Sequence, residues 1–263
     1  RDSWFNAWSP TEGEPGIIFE DDVEVSPQWY RWLKSAWKNY GDRRDIGGIS
    51  LQRQTLIPTK PYKTSEIVNE HDPFLYKLVG SYGFSPHWRQ WQKFKVWLNS
   101  VNLETVDVRT PDLVTSDWFY ASDKRSMWTQ YWIYFTDLHN LYNLYQNMPD
   151  SETLASHMRE KGEHYLETGG RDFPLAMKVK LHFPLVLRKY GWDGNIENIR
   201  EIVCLTTPFL GRAENRIIAL ANAIRKASSM NASVGLDRGW TIFFSSWFDY
   251  RSDVVLYYIG RCT

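Results

Sequence analysis

The run Gly16-Ile17-Ile18-Phe19-Glu20-Asp21-Asp22 constrains this chain more than any other segment. A glycine followed by three apolar residues predicts a short buried strand. Three consecutive carboxylates stand where that strand should end. Like charges this close repel one another and burial adds a desolvation cost, so such a cluster calls for a compensating cation. Hard oxygen ligands suit Mg2+ and Mn2+. The strand tip therefore reads as a metal–diphosphate site. Asp22 is its expected metal ligand, with Glu20 and Asp21 orienting sugar or ribose hydroxyls. The same carboxylates also read as the acidic first turn of a helix, where they favour the macrodipole.

The 31 basic and 31 acidic residues balance, which removes the electrostatic case for a nucleic-acid partner. The chain has 14 tryptophans and is 16% aromatic. Such rings stack on sugars, but they also fill cores, and packing takes the larger share of the expectation. Cys204 and Cys262 are the only cysteines, too few for a disulfide framework or a cysteine-rich zinc site. No apolar run approaches the roughly 20 residues that span a bilayer, and no signal-peptide pattern opens the chain. It begins at Arg1 without methionine. It is therefore expected to be a piece of a longer protein, with any membrane anchor upstream.

Ser26-Pro27 predicts a helix start, and Trp29, Trp32, Leu33, Ala36, Trp37 and Tyr40 then follow helical spacing up to Gly41. Residues 45–51 predict the next strand, completing a strand–helix–strand unit. A surface loop is expected over 53–73. A further strand is expected over 78–84, followed by a helix capped by Ser85-Pro86 and carrying Trp88, Trp91 and Phe94. Gly80 and Gly83 predict close backbone approach to a ligand or neighbour, or a turn. Residues 106–114 read as extended, 128–145 mixes helical and alternating patterns, and 152–166 reads as a helix. Residues 202–206 predict a strand, 208–212 a turn, 213–230 a helix and 233–236 another strand. This fresh start places a domain boundary near Asp193, giving segments 1–192 and 193–263.

Ile18-Phe19-Glu20-Asp21-Asp22-Val23-Glu24-Val25-Ser26-Pro27 resembles the Glu-Asp-Asp form of the DXD motif in GT-A fold glycosyltransferases. It is most similar to N-acetylglucosaminyltransferases of the N-glycan branching type. The resemblance implies an α/β fold, a Rossmann-like mixed sheet with flanking helices. It also implies Mn2+ (or Mg2+), a UDP-sugar donor, a glycan or glycoprotein acceptor, inversion at the anomeric carbon, and the Golgi or endoplasmic reticulum lumen. Ser116-Asp117-Trp118-Phe119 matches the Asp-Trp half of that group's Asp-Asp-Trp segment, with Ser116 replacing the first aspartate. Asp117 is then the catalytic base, accepting the proton of an acceptor hydroxyl. Ser116 also reads as a helix N-cap with Asp117 in the first turn.

The tract from Gly80 through Gly83 to Trp88 sits where such folds line the donor sugar and acceptor, Gly83 offering its backbone to the ligand. His157 and Arg159 resemble a C-terminal loop that closes over donor. Either His157 or His164 is then a possible further metal ligand, or both belong to a solvated helix face. Gly211-Arg212-Ala213-Glu214-Asn215-Arg216 resembles the opening of fucosyltransferase-like GT-B domains, which implies Arg212 beside a phosphate-bearing ligand; an ordinary helix start explains the same residues.

In GT-A folds the uridine pocket precedes the metal motif. Nineteen residues precede Glu20, against the roughly one hundred that a nucleotide-binding half takes. The expectation is thus a partial GT-A domain lacking its N-terminal nucleotide-binding half, then the start of a second α/β domain. Two other functions stay open: a retaining transferase sharing the metal motif, and a non-catalytic, aromatic-rich carbohydrate-binding module whose acidic cluster holds calcium.

Overall fold

The computed structural model describes residues 1–67, 69–121, 127–159, 169–184 and 186–197, and beyond them three strands. The chain divides into two compact units, Arg1–Asn195 and Ile196–Thr263. The first unit opens with α1 (Asp2–Asn6), β1 (Val23–Val25), α2 (Trp29–Tyr40) and β2 (Ile46–Ser50). A hairpin of β3 (Leu56–Ile57) and β4 (Lys63–Thr64) precedes β5 (Phe74–Tyr76) and β6 (Phe84–Pro86). Three helices follow, α3 (Trp88–Ser100), α4 (Val114–Tyr120) and α5 (Trp128–Leu138). The unit ends with β7 (Tyr142–Tyr145), β8 (Ala155–Arg159), β9 (Gly170–Arg171) and β10 (Lys189–Tyr190).

Five strands form the central sheet in the order β10-β5-β7-β2-β6. β10 is parallel to β5 and β7 to β2, whereas the β5–β7 and β2–β6 pairs are antiparallel. The unit is thus a mixed α/β sheet with helices on both faces. On one face α2 buries Trp32, Leu33, Ala36 and Tyr40 against Ile46, Ile49, Leu75 and Leu144. On the other, α3 and α5 bring Trp91, Phe94, Trp132 and Phe135 onto Phe74, Tyr76, Phe84 and Tyr145. Phe74 and Tyr76 face one layer and Leu75 the other, the period of two that a strand imposes.

β2 departs from that period for a visible reason. Its register against β7 shifts between Ile46 and Gly48, and the extra residue of such a bulge lets Ile46 and Ile49 share one layer. Gly48 then lies under the aromatic layer. A Cβ there would stand 2.4 Å from Phe84 Cε2 and 3.0 Å from the Ser85 carbonyl oxygen. Trp132, at the centre of that layer, has ring centroids 5.3 Å from Trp91, 5.0 Å from Phe94 and 5.7 Å from Phe84. Much of the tryptophan excess is therefore spent on packing helices to sheet.

Several local expectations change. Ile17 and Ile18 are only half-buried and Phe19 is exposed. The segment forms a single bridge, Ile18 with Phe84. Gln28 rather than Ser26 is the N-cap of α2. The Ser26 hydroxyl accepts from the Gln28 N–H and donates to the Ala176 carbonyl. Residues 78–83 are a loop between β5 and β6, and Ser85-Pro86 belongs to β6, so His87 caps α3. The mixed pattern over 128–145 resolves into α5 followed by β7. The helix expected over 152–166 is replaced by β8, with 160–168 outside the described residues.

In the second unit β11 (Ile202–Leu205), β12 (Ser233–Leu236) and β13 (Leu256–Tyr258) form a parallel sheet in that order. The turn expected at 208–212, with Arg212, and the helix expected over 213–230 lie outside the described residues. No helix among the described residues is long and apolar enough to cross a membrane.

Adding one methyl group under the aromatic layer tests this packing. Gly48→Ala is expected to cost about 1–3 kcal/mol, because the clash is with an interlocked ring and with backbone. A thermal midpoint lower by about 2 °C or more, read by near-ultraviolet circular dichroism, is the expected result.

Candidate functional site

Glu20, Asp21, Asp22 and Val23 form a turn, closed where the Val23 N–H donates to the Glu20 carbonyl at 3.3 Å. The turn explains how three adjacent carboxylates coexist. Asp21 projects into solvent, while Glu20 and Asp22 are half-buried. The strand that follows the turn, β1, pairs antiparallel with β8, with Val23 opposite His157. The Met158 N–H continues that ladder by donating to the Asp22 carbonyl at 2.8 Å.

This register brings together two side chains 135 positions apart: His157 Nε2 lies 3.0 Å from Asp22 Oδ2. The other Asp22 oxygen, Oδ1, is buried and has no hydrogen-bond partner among the described residues. A buried carboxylate oxygen without a donor is costly, and a cation or an added donor removes the cost. The His157 side chain is 6% exposed. Tyr82 stacks on its ring, with centroids 5.1 Å apart and planes inclined by 13°. Asp172 Oδ2 stands 3.6 Å from Nδ1, and Asp172 Oδ1 is ion-paired to Arg159. Arg171 pairs with Glu24 across β8, closing the small β1-β8-β9 sheet.

Glu20 carries the electrostatic strain of the cluster. Burial pushes its carboxyl up to about 7 from an ordinary 4.5, and the nearby charges of Asp22 and Asp21 push the same way. His157 and the Trp4 side chain oppose the shift. Among the described residues, no group of three or more His, Cys, Asp and Glu side chains is arranged to hold a metal ion by itself. The donors on the turn would therefore share a cation with a ligand or water.

Asp117 lies in the first turn of α4. Its half-exposed carboxylate is ion-paired with Lys60 at 2.8 Å. Ser116 is not the cap of this helix; Leu113 is. The buried Ser116 hydroxyl instead donates to the Thr110 carbonyl and accepts from the Thr110 N–H, both at 2.9 Å. That latch ties the extended segment before α4 to the helix and so fixes where Asp117 sits. Among the described residues, no hydrogen bond or ion pair joins Asp117 to the Glu20–Asp22 turn.

Gly83 has a φ of +68°, and a Cβ there would meet Phe19 Cε1 at 3.1 Å and the Cβ atoms of Ala155 and Leu51 at 3.2 Å. Close approach by neighbouring segments and a left-handed backbone both require glycine. Its carbonyl accepts from the Leu51 N–H. Gly83 thus stands where the segment before the acidic turn, the end of β2 and the start of β8 converge. Arg212 lies outside the described residues. Sequence reading passed over Asp172 and did not connect Tyr82 to His157. No spacing rule links them, because the link is a strand register between distant segments.

The Glu20 shift has a definite sign. Its carboxyl holds a proton up to about pH 7 in the folded chain and loses it near 4.5 when unfolded. The native state therefore binds more protons across that window, and stability falls as pH rises through it. In chelator at pH 8, Glu20→Gln is expected to be more stable than the parent by about 2 kcal/mol, with the advantage gone at pH 4.5. Chemical denaturation at the two pH values checks this.

No protein-family model matches the chain, and no curated protein matches its sequence.

Proposed function

We propose that this protein is a metal-dependent glycosyltransferase. It moves a sugar from a nucleotide-diphosphate donor, a UDP-sugar by the resemblance of its Glu-Asp-Asp motif, to a glycan or glycoprotein hydroxyl with inversion. The observation that carries this reading is the Asp22–His157 pair at the end of the acidic turn. One Asp22 oxygen is 3.0 Å from an imidazole nitrogen, and the other is buried without a hydrogen-bond partner among the described residues. A carboxylate and an imidazole side by side form a mixed oxygen–nitrogen donor set, which favours Mn2+ over the oxygen-demanding Mg2+. A cation bound there would neutralise the charge that builds on the leaving diphosphate.

The chain's own residues then divide the work. Asp22 and His157 would hold the cation. Glu20 and Asp21 accept hydrogen bonds from hydroxyls of the donor, and a cation held beside Glu20 would favour its ionised form. Asp117 accepts the proton of the acceptor hydroxyl as that oxygen bonds to the anomeric carbon and the bond to the diphosphate breaks. Lys60 restrains the Asp117 carboxylate, and the Ser116–Thr110 latch restrains its helix. The same family resemblance carries the proposed compartment, the Golgi or endoplasmic reticulum lumen.

The test is turnover of a panel of UDP-sugars with Mn2+ and glycan acceptors, read as UDP release and as the anomer of the product. The expected result is Mn2+-dependent transfer with inversion. Asp22→Asn should lower it by about 100-fold or more. Asp117→Asn should lower transfer by about 100-fold while leaving Mn2+ affinity unchanged. Transfer that survives Asp22→Asn would remove the metal reading, and glycan binding tightened by calcium with no transfer would establish a carbohydrate-binding module instead.

A further inference from the structure

The tract Gly80-Ser81-Tyr82-Gly83 has a second use that its glycines conceal. The Gly80 N–H donates to Ser50 Oγ at 3.0 Å, and the Tyr82 N–H donates to Gln52 Oε1 at 2.8 Å. A Cβ on Gly80 would stand 2.5 Å from the Gln52 side chain, so glycine lets the loop lie against it. Gln52 itself bridges Ala155, and the Ala155 N–H donates to the Leu51 carbonyl at 3.1 Å. Ala155 is two residues before His157 on β8. One short segment, residues 50–52, therefore anchors both the loop that carries Tyr82 and the strand that carries His157.

The consequence is geometric. A histidine binds a cation through a lone pair in the plane of its ring, so the plane decides where that lone pair points. The torsion that turns the ring is broad and poorly restrained by the backbone alone. Here the face of the imidazole is covered by the nearly parallel Tyr82 ring. One edge is bounded by Asp172, whose backbone N–H also donates to the His157 carbonyl at 3.0 Å. The other edge looks toward Asp22.

We propose that Tyr82 is a positioning residue whose ring, laid on His157 by the Ser50- and Gln52-anchored loop, holds the imidazole plane so that Nε2 points at the Asp22 carboxylate and the cation shared with it. This rests on the reading of Asp22 and His157 as a metal site. It assigns the aromatic ring of the Gly80–Gly83 tract to the metal centre. Groups that orient a ligand without touching the metal typically change affinity by about 10- to 100-fold.

The experiment is titration of the protein with Mn2+ alone, followed by the electron paramagnetic resonance signal of the free ion. Tyr82→Leu and Tyr82→Met remove the planar face while keeping most of the volume, one branched and one flexible; Tyr82→Phe keeps the face and removes only the hydroxyl. The expected result is a dissociation constant raised about tenfold in the Leu and Met variants and held within about twofold in Phe. Unchanged affinity in Leu or Met, or an equal loss in Phe, would overturn the role of the ring. Asp22→Asn separates the two claims. If it abolishes binding that the Leu and Met variants retain, the metal site stands and the positioning role falls. If the parent itself takes up no Mn2+, the site reading fails and the positioning role fails with it.

Discussion

The antiparallel pairing of β1 with β8 is the interaction on which the candidate site depends. It is only a few residues long, and it stands outside the five-stranded sheet. Yet it sets the turn of three carboxylates against a histidine from a distant part of the chain. It is extended at both ends, by the Met158 N–H donating to the Asp22 carbonyl at 2.8 Å and the Ser26 N–H donating to the Leu154 carbonyl at 2.9 Å, and Arg171 pairs with Glu24 at its middle. A slip of one residue would carry His157 to the other face of its strand and leave Asp22 without it. The five-stranded sheet is held for a different reason, the interlocked aromatic layer around Trp132 on its other face. The β1–β8 ladder itself packs with the α2 layer, through Val23, Val25, Leu154 and Ala155.

That geometry converts an apparent defect into chemistry. Glu20, whose carboxyl is pushed up to about 7, and an Asp22 oxygen buried without a donor among the described residues both cost stability. Both costs shrink when positive charge arrives beside them. The acidic turn would therefore gain free energy from a cation, which is the physical content of the proposed metal site. Glu20, Asp21 and Asp22 do not act alike, because the turn gives each a different burial.

What was legible in the sequence follows from how local its cause is. The period of Trp32, Leu33, Ala36 and Tyr40 announced α2, and the apolar run through Ile46 and Ile49 announced β2. The α/β class followed from that alternation of elements. Misreadings arose where tertiary contacts outweighed local pattern. Leu78 to Gly83 is apolar and glycine-bearing enough to look like a strand, but Gly80 and Tyr82 spend their N–H groups on Ser50 and Gln52 side chains instead of a ladder. Ala155 to Arg159 looked helical until β1 and β9 claimed its backbone. Within the site, the carboxylates were legible because charge repulsion is a local property. The Asp22–His157 pairing, the Tyr82 stack and the Asp172 edge were not, since each depends on strand register. Asp117 was singled out by its motif, and its pairing with Lys60 comes from a loop that the sequence left featureless.

The most direct measurement of the central claim is the coordination sphere of Mn2+ bound to this protein, read by electron spin echo envelope modulation. A nitrogen coupling from one directly bound imidazole is expected in the parent and is expected to be lost in His157→Gln, with binding itself abolished by Asp22→Asn. Mn2+ bound with no nitrogen coupling, or with a coupling that His157→Gln leaves intact, would contradict it.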